Sequence, residues 1–162
     1  MKIILIRGNS GSGKTTLARR VHTMLKNSAL ISRDPLRQTT ASEDMPDALI
    51  RAVQQAEAEA YDYAIVEGVL GATGKYASFF HFLRNMYDEI YAYYYDLPFS
   101  ETLRRHKNRD CCQEFGTEEM QRWYRPHDQI TAFFPETVFH ENHTLDEAFH
   151  QIMHDLHYIT HV

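Results

Sequence analysis

Gly8-Asn9-Ser10-Gly11-Ser12-Gly13-Lys14-Thr15 matches the pattern G-x-x-x-x-G-K-T at every position, and its reading decides the fold. It follows the apolar run Ile3-Ile4-Leu5-Ile6 and precedes Leu17, Val21, Met24 and Leu25 at helical spacing. Strand, glycine-rich loop and helix in that order are the context in which this pattern cradles phosphate. Glycines let successive backbone N–H groups turn toward an anion, and the helix begun near Gly13 points its positive end the same way. Lys14 supplies a mobile charge for β- and γ-phosphates, Thr15 offers a hydroxyl to Mg²⁺, and Thr16 completes the contact set. The expected cofactors are therefore ATP and Mg²⁺. An Asn-Lys-x-Asp base-reading motif of the GTPase kind is not in the chain.

Outward from the loop, strand-like runs alternate with helical patterns, which predicts an α/β fold with an open, five-stranded parallel sheet flanked by helices. The strands are expected at Lys2–Arg7, Ala29–Ser32, Tyr63–Gly68, Ile90–Tyr95 and Thr137–Phe139. Helical faces are expected from Leu49, Val53, Ala56 and Ala60, from Phe79, Phe80, Leu83 and Met86, and from Leu103 after Pro98. Residues 109–118 read as polar and irregular, and Thr117–Trp123 as helical. Thr144 and Glu147 form a capping box ahead of a last helix, Leu145–Ile159. The 162 residues are expected to form one domain with a small lid at about 105–125.

Ligand sites of such a sheet lie beyond the C-terminal strand ends. The second strand ends in Ser32-Arg33-Asp34 and the third in Glu67-Gly68, so both acids are expected on the rim that carries Lys14. Phosphoryl transfer to a hydroxyl needs an acid that takes or orients the hydroxyl proton, and acids that hold Mg²⁺ directly or through water. Asp34 is the candidate base, and Glu67 the candidate for the outer metal shell or for substrate binding. Asp34 also suits a helix N-cap ahead of Pro35 at the first helical position. The run Arg104-Arg105-His106-Lys107-Asn108-Arg109 leads into the irregular segment. Arg105 and Arg109, four residues apart, are the pair expected to close on the phosphates from a lid. A solvated basic helix end is the plainer account of the same run.

These elements together resemble a branch of the phosphate-loop (Walker A) kinases that includes polynucleotide 5′-kinases, zeta-toxin-like kinases and gluconate- and uridine-kinase-like enzymes. Ser32-Arg33-Asp34-Pro35-Leu36-Arg37-Gln38 is similar to the Arg-Asp element at the end of their second strand. The resemblance implies a three-layer phosphate-loop fold, Asp34 as general base, Arg37 as an acceptor contact, and Arg105 and Arg109 as lid residues on ATP. It covers the nucleotide half and the lid, and nothing in residues 39–60 or 70–85.

The expected activity is ATP-dependent phosphoryl transfer to a hydroxyl of a small molecule, such as a nucleoside or sugar. Two alternatives stand beside it: a polynucleotide 5′-kinase, and a nucleotide-dependent switch or ATPase acting through a partner. A net charge of −5 argues against nucleic acid. The adjacent Cys111-Cys112 offers neither a disulfide framework nor a zinc spacing, and no apolar stretch has membrane-spanning length, so a reduced cytoplasmic setting is expected. Oligomeric state is not legible. Gly71-Ala72-Thr73-Gly74-Lys75 reads as a rim turn whose Lys75 is a candidate substrate contact. Tyr93, Tyr94 and Tyr95 suit a buried strand, Trp123-Tyr124 suits helix packing, and His150 with His154 lacks a third ligand.

Overall fold

The structure, a computed structural model, describes residues 1–107 and 116–158. Five strands form one sheet: β1 (Lys2–Gly8), β2 (Ser28–Ser32), β3 (Tyr63–Gly68), β4 (Ile90–Tyr95) and β5 (Thr137–Phe139). Their spatial order is β2-β3-β1-β4-β5, and every pairing is parallel. Parallel neighbours need crossover connections, and helices supply them on both faces. They are α1 (Lys14–Met24), α2 (Arg33–Arg37), α3 (Met45–Ala58), α4 (Ala77–Met86), α5 (Phe99–Lys107), α6 (Thr117–Trp123) and α7 (Leu145–Asp155).

The two cores follow from the alternation of side chains along β1. Ile3 and Leu5 face one way, toward Leu49 and Val53 of α3 and Phe79 and Phe80 of α4. Ile4 and Ile6 face the other, toward Leu17 and Val21 of α1 and Phe149 and Ile152 of α7. A strand apolar on both faces is the signature of a central parallel strand. Burying each of these aliphatic side chains contributes about 1.5–3 kcal/mol. Because β1 lies between β3 and β4, the loop after it opens where the strand order reverses.

Several local expectations are corrected. Ala60 does not extend the face of α3: the helix ends at Ala58, and Ala60 turns the chain with φ 59°. Met86, the last residue of α4, is 60% exposed, while Tyr87 takes the core position. In α5 the buried residues are Thr102 and His106, with Leu103 only partly covered. Asp34 does not cap a helix. Ser32 holds the N-cap position of α2, and Asp34 and Pro35 both sit in its first turn. The last helix ends at Asp155; its Thr144–Glu147 capping box is present, with Glu147 N donating to Thr144 Oγ1 at 3.2 Å and Thr144 N to Glu147 Oε2 at 2.8 Å. Arg109, Cys111, Cys112 and Ile159 lie outside the described residues. Among the described residues no helix is long and apolar enough to cross a membrane.

Candidate active site

The loop between β1 and α1 is braced from beneath by Arg7, the last side chain before it. Arg7 is 1% exposed. Its Nε and Nη2 donate to Leu70 O at 2.8 and 2.6 Å, Nη2 also to Asp128 O at 2.8 Å, and Nη1 to Glu136 Oε1 at 2.7 Å. Phe80 and Tyr94 flank the guanidinium. Glu136 also accepts from Ile130 N at 2.7 Å. Burial pushes the Glu136 carboxyl above its ordinary value, with Arg7 and the Ile130 N–H pulling against it. One buried cation thus ties the end of β1 to the segment after β3 and to the segment after α6.

Within the loop, Gly11 carries φ 79°, and a Cβ there would stand 2.4 Å from Thr102 O of α5. The loop therefore lies directly against α5. Lys14, 4% exposed, folds back so that Nζ donates to Asn9 O at 3.2 Å. Asn9 pairs reciprocally with the backbone of Arg125: Nδ2 donates to Arg125 O at 2.7 Å, and Arg125 N donates to Oδ1 at 2.9 Å. The loop's second residue thereby fixes the chain just past α6.

Glu67, 2% exposed, reaches the loop from the end of β3, where its carboxylate Oε2 accepts from Thr15 Oγ1 at 3.1 Å. A hydroxyl and a buried carboxylate beside a lysine are hard oxygen donors of the kind Mg²⁺ takes. No three His, Cys, Asp or Glu side chains converge among the described residues. A magnesium ion at Thr15 would therefore draw its other ligands from phosphate and water, as it ordinarily does. The residues fit the ion.

Two sizeable cavities open on the loop among the described residues. The first, about 470 Å³, is lined by Gly13 and Thr16, by Tyr95, Arg104 and Arg105, and by the turn leading into α7. Glu101 organises this side. Arg104 donates to it through Nε and Nη2, both at 2.8 Å. Arg105 Nε donates to Glu101 Oε1 at 2.6 Å and its Nη1 to Ser12 O at 2.8 Å. The arginines, Arg104 foremost, hold the Glu101 carboxyl down at about 2. Arg105 therefore touches the loop itself, oriented by an acid one helical turn earlier.

The second cavity, about 620 Å³, has Asn9 and Ser10 on one wall and Asp34, Arg37, Trp123 and Arg125 among the others. Asp34 is 63% exposed in its side chain, and Arg33 Nη1 lies 3.2 Å from its Oδ1. Arg33 is anchored in turn, with Nε donating to Tyr76 OH at 2.9 Å. Gly68 permits this packing: a Cβ there would fall 2.6 Å from Arg33 Cβ. The residue after Glu67 thus sets how closely the Arg33-Asp34 turn approaches β3.

The structure therefore brings Lys14, Thr15 and Glu67 together, places Arg105 on one side of the loop and puts Asp34 and Arg37 on the other. Lys75 goes elsewhere: its Nζ donates to Ser42 O at 2.9 Å and Ser42 Oγ at 2.6 Å. Trp123 is 42% exposed at the second cavity rather than packed under its helix; Tyr124 does pack, donating to Leu97 O at 2.8 Å. Arg7, Asn9 as a clamp, Glu101, Gly68 and Arg125 were not singled out for these roles from sequence. Only Glu101 left a local signal, standing three and four residues before Arg104 and Arg105.

No protein-family model matches the chain, and no curated protein matches it. Solved structures do. The chain is similar to a tunicamycin resistance protein from Deinococcus radiodurans, at 16% identity over 98% of either chain with a TM-score of 0.70. It is similar to a gluconokinase from Sinorhizobium meliloti 1021, at 15% identity over 99% of this chain and 98% of that one, TM-score 0.63. A shikimate kinase from Bacteroides thetaiotaomicron matches at 16% identity over 98% and 99% of the two chains, TM-score 0.60. The fold is the three-layer α/β fold of the phosphate-loop NTPases, and the structures it resembles include small-molecule kinases.

Proposed function

We propose that the chain is an ATP- and Mg²⁺-dependent kinase that transfers the γ-phosphoryl group to a hydroxyl of a small molecule. The observation that carries this is the pair of cavities meeting at one phosphate loop, one walled by Arg105 and the other by Asp34. A donor alone needs one cavity; transfer needs a second that reaches the same phosphate from the opposite side. The names of the gluconokinase and the shikimate kinase agree with a small acceptor.

In this account Gly8–Thr16 cradles the triphosphate, Lys14 follows the β- and γ-phosphates, and Thr15, with Glu67 beside it, would hold Mg²⁺. The ion, when bound, neutralises charge on the phosphates. Arg105 adds positive charge from the α5 side; of the lid expected at about 105–125 in a single domain, residues 108–115 lie outside the described residues. Asp34 takes the acceptor proton as the hydroxyl oxygen bonds to the γ-phosphorus. The bond from that phosphorus to the β–γ bridging oxygen breaks, and ADP leaves. Nothing in the geometry requires Lys75 in the reaction.

The test is ADP release with ATP and Mg²⁺ across a panel of nucleosides, sugars and sugar derivatives. Turnover should rise at least tenfold above the acceptor-free rate with one class of acceptor and yield its phosphorylated product. Turnover indifferent to every acceptor, and raised only by a protein partner, would favour the switch.

A further inference from the structure

The second cavity carries a charge opposite to that of the chain. The protein is net −5, yet among the described residues this cavity is lined by three arginines, Arg33, Arg37 and Arg125, and one acid, Asp34. Arg33 is committed to Tyr76 and Asp34. Among the described residues, Arg37 has no carboxylate partner, and Arg125 Nη1 makes only long contacts to carbonyls, Arg122 O at 3.4 Å and Tyr124 O at 3.3 Å. These two arginines come from separate elements, α2 and the segment after α6. The backbone of Arg125 is fixed by its double hydrogen bond to Asn9 of the phosphate loop. Trp123 lies on the same wall. Guanidinium groups without carboxylate partners, converging on one cavity, select an anion, because they match carboxylate and phosphate oxygens in a planar fork.

We infer that the acceptor is a small hydroxyl compound that bears an anionic group, a carboxylate or a phosphate monoester. Arg37 and Arg125 hold the anion while the hydroxyl faces Asp34 and the carbon skeleton lies against Trp123. The hydroxyl rests on the kinase reading above; the anion rests on the arginines alone.

Trp123 is the sole tryptophan of the chain, so its fluorescence reports on this cavity without any need for turnover. With the phosphate loop filled by a non-hydrolysable ATP analogue, the protein is titrated with two matched pairs: gluconate against glucitol, and uridine monophosphate against uridine. At least one anion is expected to shift the emission and to bind at least tenfold more tightly than its neutral partner. That advantage should shrink with added salt. Arg37→Gln and Arg125→Gln should each weaken the anion roughly tenfold while leaving the neutral compound and the ATP analogue nearly unchanged. The gluconate and uridine monophosphate arms separate the carboxylate from the phosphate source. Equal binding of charged and neutral partners overturns the inference, as does silence in both arms. So does an Arg37 or Arg125 effect confined to the ATP analogue, which would assign those charges to the donor phosphates. Binding of a single-stranded oligonucleotide in preference to uridine monophosphate also overturns it, in favour of a polynucleotide end. If anions bind selectively but ADP release is never stimulated, the kinase reading fails and the charge selectivity stands.

Discussion

The proposed donor and acceptor sides of the loop are built in different ways. On the donor side the charged groups at the loop are already paired: Lys14 folds onto Asn9 O, Glu67 accepts from Thr15, and Glu101 aims Arg105 at Ser12 O. Across the loop, Asp34 is mostly exposed, and Arg37 and Arg125 have no carboxylate partners among the described residues. The difference follows from the ligands. Phosphates of a nucleotide are constant, so a rigid cradle prepaid in hydrogen bonds suits them. In the proposed function an acceptor must be admitted, and its charges would complete a cavity whose polar groups are held back for it.

The largest effect should come from removing the brace that both sides share. Arg7→Met leaves Glu136 buried without its cation, and breaking such a pair costs about 3–5 kcal/mol. Chemical denaturation should show that loss. A loss below about 1 kcal/mol would mean that the brace carries little stability. On the donor side, Lys14→Met should lower acceptor-stimulated turnover by about 10²–10³-fold with the thermal midpoint nearly unchanged. A parallel fall in stability would make the lysine a structural residue.

Gly68→Ala acts on the acceptor side. The added methyl meets Arg33 Cβ at 2.6 Å, so the Arg33-Asp34 turn must move. Turnover should fall about tenfold while affinity for the ATP analogue holds. Loss of nucleotide affinity instead would show that the two sides are not separable here.

The smallest effect is electrostatic. Glu101, held at about 2 against an ordinary 4.5, contributes stability that is fully present above pH 4.5 and lost as pH falls toward 2. Wild type and Glu101→Gln, compared by denaturation at pH 6 and near pH 2, should differ at the first and converge at the second. A gap that persists near pH 2 would exclude the ion pair as its source.

Sequence disclosed the donor side because its chemistry is local: one eight-residue element, with its strand and helix, carries the cradle. The placement of Asp34 and Glu67 near the loop was also legible, since strand ends of a parallel sheet share a rim. The acceptor side is assembled over distance. Arg125 lies 116 residues from the Asn9 that fixes it, and no spacing rule links them. Arg7 escaped notice for a related reason. Its partners Leu70, Asp128 and Glu136 are brought in only by the folded sheet. Ala60 was misplaced because periodicity carries on past the point where a helix stops, and Met86 because the last residue of α4 already turns away from the core.

The central claim is that a base on the acceptor side acts on a phosphate held by the donor side. The measurement that tests it most directly is ADP release by Asp34→Asn with a stimulating acceptor, alongside calorimetric binding of the ATP analogue. The account predicts a fall in kcat of about 10²-fold or more with analogue affinity preserved. Unchanged turnover in Asp34→Asn would contradict it.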